Sequence, residues 1–217
     1  MSDSGRTLVV PRLYAILDAG LLASRVPAEK LTSAICDFAC ELAAGGATLI
    51  QYRAKNLQPG KMLSHARELR RVLGSGITLF MNDRADLCLA AGFDGVHVGQ
   101  EDLSPVGART VVGKGRWVGV STHNPEQLRN ADHAPADYIA FGPVFATGTK
   151  QNPDPVVGLE GVRSARALTR KPLVAIGGIT RMNAREVLSA GADAVAVIGD
   201  LFEDPRRAAE EFLGVLV

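Results

Sequence analysis

A chain of 217 residues is long enough to bury one large core and short for two domains. Its formal net charge of +1 gives no broad electrostatic reason to expect nucleic acid or an anionic membrane as partner, and no apolar run reaches transmembrane length. Three cysteines make no secretory disulfide framework and the first residues lack the order of a signal peptide, so a reducing cytoplasm is the expected location.

Residues 1–10 read as a loose lead-in and residues 11–217 as a single domain. Residues 13–17 form an apolar run closed by Asp18, and a helix is expected over 27–44, stopped by the pair Gly45 and Gly46. Cys36 and Cys40 share one face of that helix and read as two small buried thiols packing against the core rather than half of a metal site. A strand over 47–53 leads to a helix that opens at Pro59 and ends near Gly74. A third strand over 77–82 precedes a short helix over 83–91, stopped by Gly92, and a fourth strand covers 95–99. Ser104 and Pro105 read as the cap and first position of another short helix.

The fifth strand covers 117–121, and Thr122 or Asn124 caps the helix that carries Pro125. The sixth covers 138–142. Residues 143–158 follow as a loop rich in Pro, Gly and Thr without periodicity, of a length typical of lids and ligand clamps. A helix over 159–168, a strand over 173–178, a helix capped by Thr180 that runs to Ala190 and is stopped by Gly191, a strand over 194–199 and a helix opening at Pro205 complete the chain. Eight short, doubly apolar strands alternating with helices predict a (β/α)8 TIM barrel. The rival is an open doubly wound sheet, which lacks the glycine fingerprint after its first strand.

A barrel gathers its strand ends at one mouth. In ring order these are Gln51, Arg53 and Lys55, then Asn82 and Asp83, then Gln100, Glu101 and Asp102, then Ser121, the Thr147–Lys150 loop, Gly177 and Gly178, and Ile198 and Gly199. Arg53, Lys55 and Lys150 suit phosphate oxygens, Arg as a fixed fork and Lys as a point charge. Asp83 and Asp102 suit Mg²⁺, with helix capping as the competing reading for each. Ser121 either donates to a phosphate or caps a helix. Glycine backbone after strands seven and eight suits a second phosphate. His97 sits mid-strand, more often a core position, and His123 is a candidate acid or base. None of the four histidines has a Ser or Cys pattern that makes a hydrolytic triad.

Six ordered blocks also resemble the thiamine-phosphate synthase family: QYRAK at 51–55, MNDRADLCLAAGFDGVHVGQEDL at 81–103, GVSTHN at 119–124, DYIAFGPVFATGTK at 137–150, AIGGI at 175–179 and AVAVIGDLF at 194–202. The resemblance implies a Mg²⁺-dependent transferase that joins a hydroxymethylpyrimidine pyrophosphate to a thiazole phosphate, releasing pyrophosphate. It implies that Gln51, Arg53, Lys55 and Asn82 hold the pyrimidine and its pyrophosphate, with Tyr52 and Ala54 in the same segment. Asp83 and Asp102 would hold one Mg²⁺, and Ser121 and Lys150 would also bind pyrophosphate. Thr147, Gly148 and Thr149 would contact the thiazole phosphate, whose phosphoryl group would sit on Gly177, Gly178, Ile198 and Gly199. Arg53, Lys55, Ser121 and Lys150 would carry the catalysis.

Tyr52 and Ala54 stand where the family commonly has Leu and Glu, with side chains expected to alternate away from those of Gln51 and Arg53, and Gly199 replaces a common serine. Two relatives compete: a thiazole tautomerase, and a non-catalytic thiazole- or thiamine-phosphate-binding regulator. The partners expected are small phosphorylated substrates, without nucleic acid or membrane, and with room for a homo-oligomer.

Overall fold

The computed structural model describes residues 9–148 and 154–217. Eight parallel strands close into a barrel in sequence order: β1 (Leu13–Asp18), β2 (Leu49–Arg53), β3 (Thr78–Asn82), β4 (Gly95–Val98), β5 (Trp117–Thr122), β6 (Tyr138–Phe141), β7 (Leu173–Ile176) and β8 (Ala194–Val197). Closure joins β1 to β8 through Leu13 opposite Val195 and Ala15 opposite Val197. The open doubly wound alternative is thereby excluded. Of the lead-in, only Val9 and Val10 fall among the described residues.

Helices pack outside the strands: α1 (Ala19–Ala23), α2 (Leu31–Ala44), α3 (Pro59–Leu73), α4 (Ala85–Ala91), α5 (Pro105–Val112), α6 (Pro125–His133), α7 (Gly158–Leu168), α8 (Ala184–Ser189) and α9 (Pro205–Val215). Asn124 caps α6 by accepting the Gln127 amide, and Ser104 caps α5 by accepting from Gly107. Among the described residues no helix is long and apolar enough to cross a membrane.

Three local expectations need correction. The helix expected over 27–44 divides into a 3-10 turn at Ala28–Lys30 and α2. The five-residue α1 was not anticipated. Asp18 creates it by accepting from the amides of Gly20 and Leu21 at 2.9 and 3.1 Å. Thr180 does not cap α8, which begins at Ala184. The Thr180 amide instead donates to Asn183 Oδ1 at 2.8 Å, and the intervening residues make a turn.

Side-chain parity decides what reaches the site, because successive strand residues face opposite sides of the sheet. One set, including Leu17, Ile50, Met81, Val96, Val118 and Ile139, packs against the helices. The other set fills the barrel, where Tyr14, Phe80 and Tyr138 pack tilted or edge-on with ring centroids 5.7–5.9 Å apart. Continuing that inward parity toward the strand ends brings Gln51, Arg53, Asn82, His97 and Ser121 to the mouth.

Candidate active site

The inward strand ends enclose a cavity of about 400 Å³. Gln51, Arg53, Asn82 and Ser121 form part of its wall, as the sequence predicts. Thr147, Gly148, Gly177, Gly178, Ile198 and Gly199 line it as well. Thr149 and Lys150 lie outside the described residues.

Tyr52 and Ala54 do not reach the cavity through their side chains. Both are buried in the layer between sheet and helices, and the Tyr52 hydroxyl bonds His65 Nδ1 on α3 at 2.8 Å. They alternate with Gln51 and Arg53, so the pleat turns them outward.

Arg53 is held in place by Asp18, which is almost fully buried and pairs with the Arg53 guanidinium while capping α1. A mobile guanidinium thereby becomes a preorganised fork. Asp18 carries no signal in the sequence beyond closing an apolar run.

Lys55, Asp83 and Asp102 do not line the main cavity; Asp83, next in the chain to Asn82 of its wall, and Asp102 line a separate depression together with Arg84 and Asp86. Helix capping explains neither residue. Arg84 occupies the cap position of α4, and the Asp83 side chain instead meets Lys55 Nζ at 2.6 Å. Asp102 accepts the Gly99 amide at 2.8 Å, while Ser104 caps the helix beyond it. Burial and a hydrogen bond with Asp102 push the Asp83 carboxyl up to about 6, against the opposing pull of Lys55. Asp102 is held below the ordinary range. Burial works against that direction, and hydrogen bonds from Asp83 and the Gly99 amide outweigh it.

Two carboxylates close enough to share a proton, beside one lysine, fit a divalent cation in the proton's place. No cluster of three or more His, Cys, Asp or Glu forms among the described residues. Two protein carboxylates with ligand oxygens and water are the donor set Mg²⁺ accepts.

At the opposite wall the backbone itself is exposed to the cavity. Gly177 and Gly178 adopt φ of 90° and 66°, and residues 143–146 pack directly over them. The Val144 and Phe145 amides bond the carbonyls of Ile176 and Gly177 at 2.8 and 3.1 Å. Asp200 also lines this wall, where a bare carboxylate would repel an anion. Arg181 binds it through Nε at 3.0 Å and through its amide at 2.8 Å. A Cβ on Gly199 meets nothing within 4 Å, and its φ is outside the left-handed region. Gly199→Ser is therefore expected to fold normally and to lower KM for a phosphate ligand at this wall several-fold, by adding one hydroxyl donor worth about 1 kcal/mol. An unchanged KM in steady-state kinetics would remove the phosphate from this position.

His123 lines the cavity, yet its ring is engaged at both nitrogens. Nδ1 bonds the Gly142 carbonyl at 2.5 Å, and Nε2 lies 3.4 Å from Asp154. His97 is more deeply set. It faces into the barrel between Tyr138 and Ser121, and burial pulls its pKa down to about 4. Its neutral form is the one the fold accommodates, so the unfolded chain takes up a proton first, near 6.5. Stability is full above that value and is lost as pH falls toward 4. The gap corresponds to roughly 3 kcal/mol. Denaturant unfolding from pH 7.5 to 4 is expected to show that extra loss in the wild type and not in His97→Gln.

A single barrel with a cation-and-carboxylate rim on one side and glycine backbone on the other defines an enzyme-like site for phosphorylated small molecules. The thiamine monophosphate synthase family profile matches residues 14–201. A thiamine-phosphate synthase of Koribacter versatilis is 61% identical over 209 residues, covering 96% of this chain and 97% of that protein. One of Chloroflexus aurantiacus is 42% identical over 188 residues, covering 86% and 83%. The solved thiamine phosphate pyrophosphorylase of Pyrococcus furiosus superposes with a TM-score of 0.81 at 35% identity, covering 94% of this chain and 95% of that one. The chain belongs to the thiamine monophosphate synthase family.

Proposed function

We propose that the protein is a thiamine-phosphate synthase that transfers the hydroxymethylpyrimidine group from its pyrophosphate to a thiazole phosphate with the help of Mg²⁺. The observation that carries this reading is the division of one mouth into two unlike anion stations. Arg53, Asn82 and Ser121 line one side of the cavity and Gly177, Gly178 and Gly199 the other, while Asp83, following Asn82 in the chain, lines a separate depression with Asp102 and pairs with Lys55.

Asp83 and Asp102 would hold the Mg²⁺, which supplies charge neutralisation for a leaving pyrophosphate. Arg53, fixed by Asp18, donates two parallel hydrogen bonds to phosphate oxygens, and Ser121 adds a hydroxyl. Lys55, paired with Asp83, would reach the same oxygens, and Lys150 would join it. The C–O bond at the pyrimidine methylene breaks, and its electron pair leaves with pyrophosphate. The exocyclic amino group of the pyrimidine delocalises the resulting cation. The thiazole nitrogen, its phosphate held by the glycine wall with Thr147, Gly148 and Thr149, donates its lone pair to form the C–N bond. No protein nucleophile takes part, and positioning with leaving-group electrostatics lowers the barrier.

Three free thiols suit a reducing cytoplasm; Cys36 and Cys88 are buried, whereas Cys40, expected to be buried beside Cys36, is exposed. Purified protein given both substrates is expected to release pyrophosphate only when Mg²⁺ is present. Absence of metal-dependent release would overturn the reading.

A further inference from the structure

Five side chains on five strands form a continuous hydrogen-bonded chain across the barrel floor. Gln51 Nε2 lies 2.9 Å from the Tyr14 hydroxyl, which lies 2.8 Å from the Tyr138 hydroxyl. Tyr138 lies 2.8 Å from His97 Nδ1, and His97 Nε2 lies 2.8 Å from Ser121 Oγ. The inner members are buried, and both ends open on the cavity. The fold keeps the chain's width clear. Gly119 sits opposite both His97 and Tyr138 in register, and a Cβ there would stand 2.0 Å from Tyr138 Cζ.

Each inner member has one proton to give and a lone pair to receive with, so a chain donating uniformly has only two directions. Donation from Gln51 toward Ser121 requires His97 to carry its proton on Nε2. The Ser121 proton then points into the cavity, and the Gln51 amide presents its oxygen there. The reverse direction puts the proton on Nδ1, turns the Gln51 amide over, and uses the Ser121 proton on His97. An anion has only acceptors, and an amino group on a pyrimidine is a donor. The first direction serves both ends and the second serves neither.

We propose that Gln51, Tyr14, Tyr138, His97 and Ser121 form a one-way hydrogen-bond chain that offers an acceptor to an aminopyrimidine and a donor to the leaving pyrophosphate, an inference that rests on the proposed synthase activity. Tyr14, Tyr138 and His97 act as positioning residues, because they fix the two end groups rather than touch the reacting atoms. The chain also makes the site selective. A pyrimidine with an oxo group in place of the amino group brings an acceptor against the Gln51 oxygen.

The test is the position of the His97 proton, read by long-range ¹H–¹⁵N correlation on ¹⁵N-histidine-labelled protein at neutral pH, with His97→Gln identifying the signal. The Nε2–H form is expected in the wild type, and the Nδ1–H form overturns the chain's direction. In Gln51→Glu a carboxylate cannot donate to Tyr14, so the chain is expected to reverse to Nδ1–H with kcat lowered at least about tenfold. An unchanged tautomer in that variant also overturns the proposal. Tyr138→Phe cuts the chain and is expected to give a mixed tautomer and a kcat about tenfold lower, with KM for thiazole phosphate unchanged. Absence of pyrophosphate release by the wild type overturns the synthase reading itself, whereas Nδ1–H in an active enzyme overturns only the chain.

Discussion

Asp83→Ala is expected to lower kcat for pyrophosphate release about a thousandfold, the scale of removing one principal stabiliser of developing charge. His123→Ala is expected to lower it less than about tenfold, because a residue that transfers no proton forfeits none of the usual acid–base contribution. The contrast follows from what each side chain does. Asp83 is hydrogen-bonded to Asp102 and pairs with Lys55, so its loss would dismantle the proposed divalent-cation site and free a lysine at once. His123 is bonded to the Gly142 carbonyl and faces Asp154, which ties the end of β5 to the loop over the mouth. Asp83 also sits at a φ of 64°, a conformation Asn tolerates better than Ala. Asp83→Asn is therefore the companion variant, with the same loss of rate and a smaller loss of stability. Steady-state assays over a Mg²⁺ titration measure both. A larger loss at His123 than at Asp83 would move the chemistry to proton transfer, as a thiazole tautomerase requires.

The parts of this site that depend on one strand were legible in the sequence, and the parts that depend on closure were not. Period-two alternation placed Gln51 and Arg53 at the mouth and turned Tyr52 outward, because parity is a local property of the pleat. Gly177 and Gly178 were legible for a similar reason, since a glycine pair ending an apolar strand marks a backbone conformation other residues avoid. Tyr14 and Tyr138 are 124 residues apart and meet only inside the closed barrel, where β1 and β6 are not neighbours. An apolar run containing a tyrosine reads as core, and both tyrosines are indeed core. Nothing in either run states that their hydroxyls join. His97 was ambiguous for the same reason, since its two partners come from β5 and β6. Asp18 was read as the end of a strand because its double engagement, with a helix start and with Arg53, needs the β1–β2 register of Asp18 opposite Arg53. The capping readings of Asp83 and Asp102 were equally local, and they failed because Lys55 and the Gly99 amide compete for the same carboxylates.

Gly178→Ala is expected to raise KM for thiazole phosphate about a hundredfold while leaving KM for the pyrimidine pyrophosphate near the wild-type value. A hundredfold change corresponds to about 2.7 kcal/mol. The added methyl stands 2.5 Å from the Ala146 carbonyl oxygen and 2.7 Å from Phe145 Cβ, both in the segment that covers the glycine wall. The residue also keeps a φ of 66°, which costs alanine about 1–2 kcal/mol. Relief comes from lifting residues 145–146 or from rotating the Gly178 backbone, and either movement carries the wall away from the phosphate it would hold. Overpacking of this kind costs about 1–3 kcal/mol, so a lower denaturation midpoint is expected alongside the kinetic effect. The separation of the two KM values is the decisive measurement. Asn82, Arg53 and Ser121 come from β3, β2 and β5, so a shift confined to the wall after β7 leaves their station intact. Equal increases in both KM values would mean that the two anion stations are one, and the division of the mouth that supports the transfer reaction would fall with it.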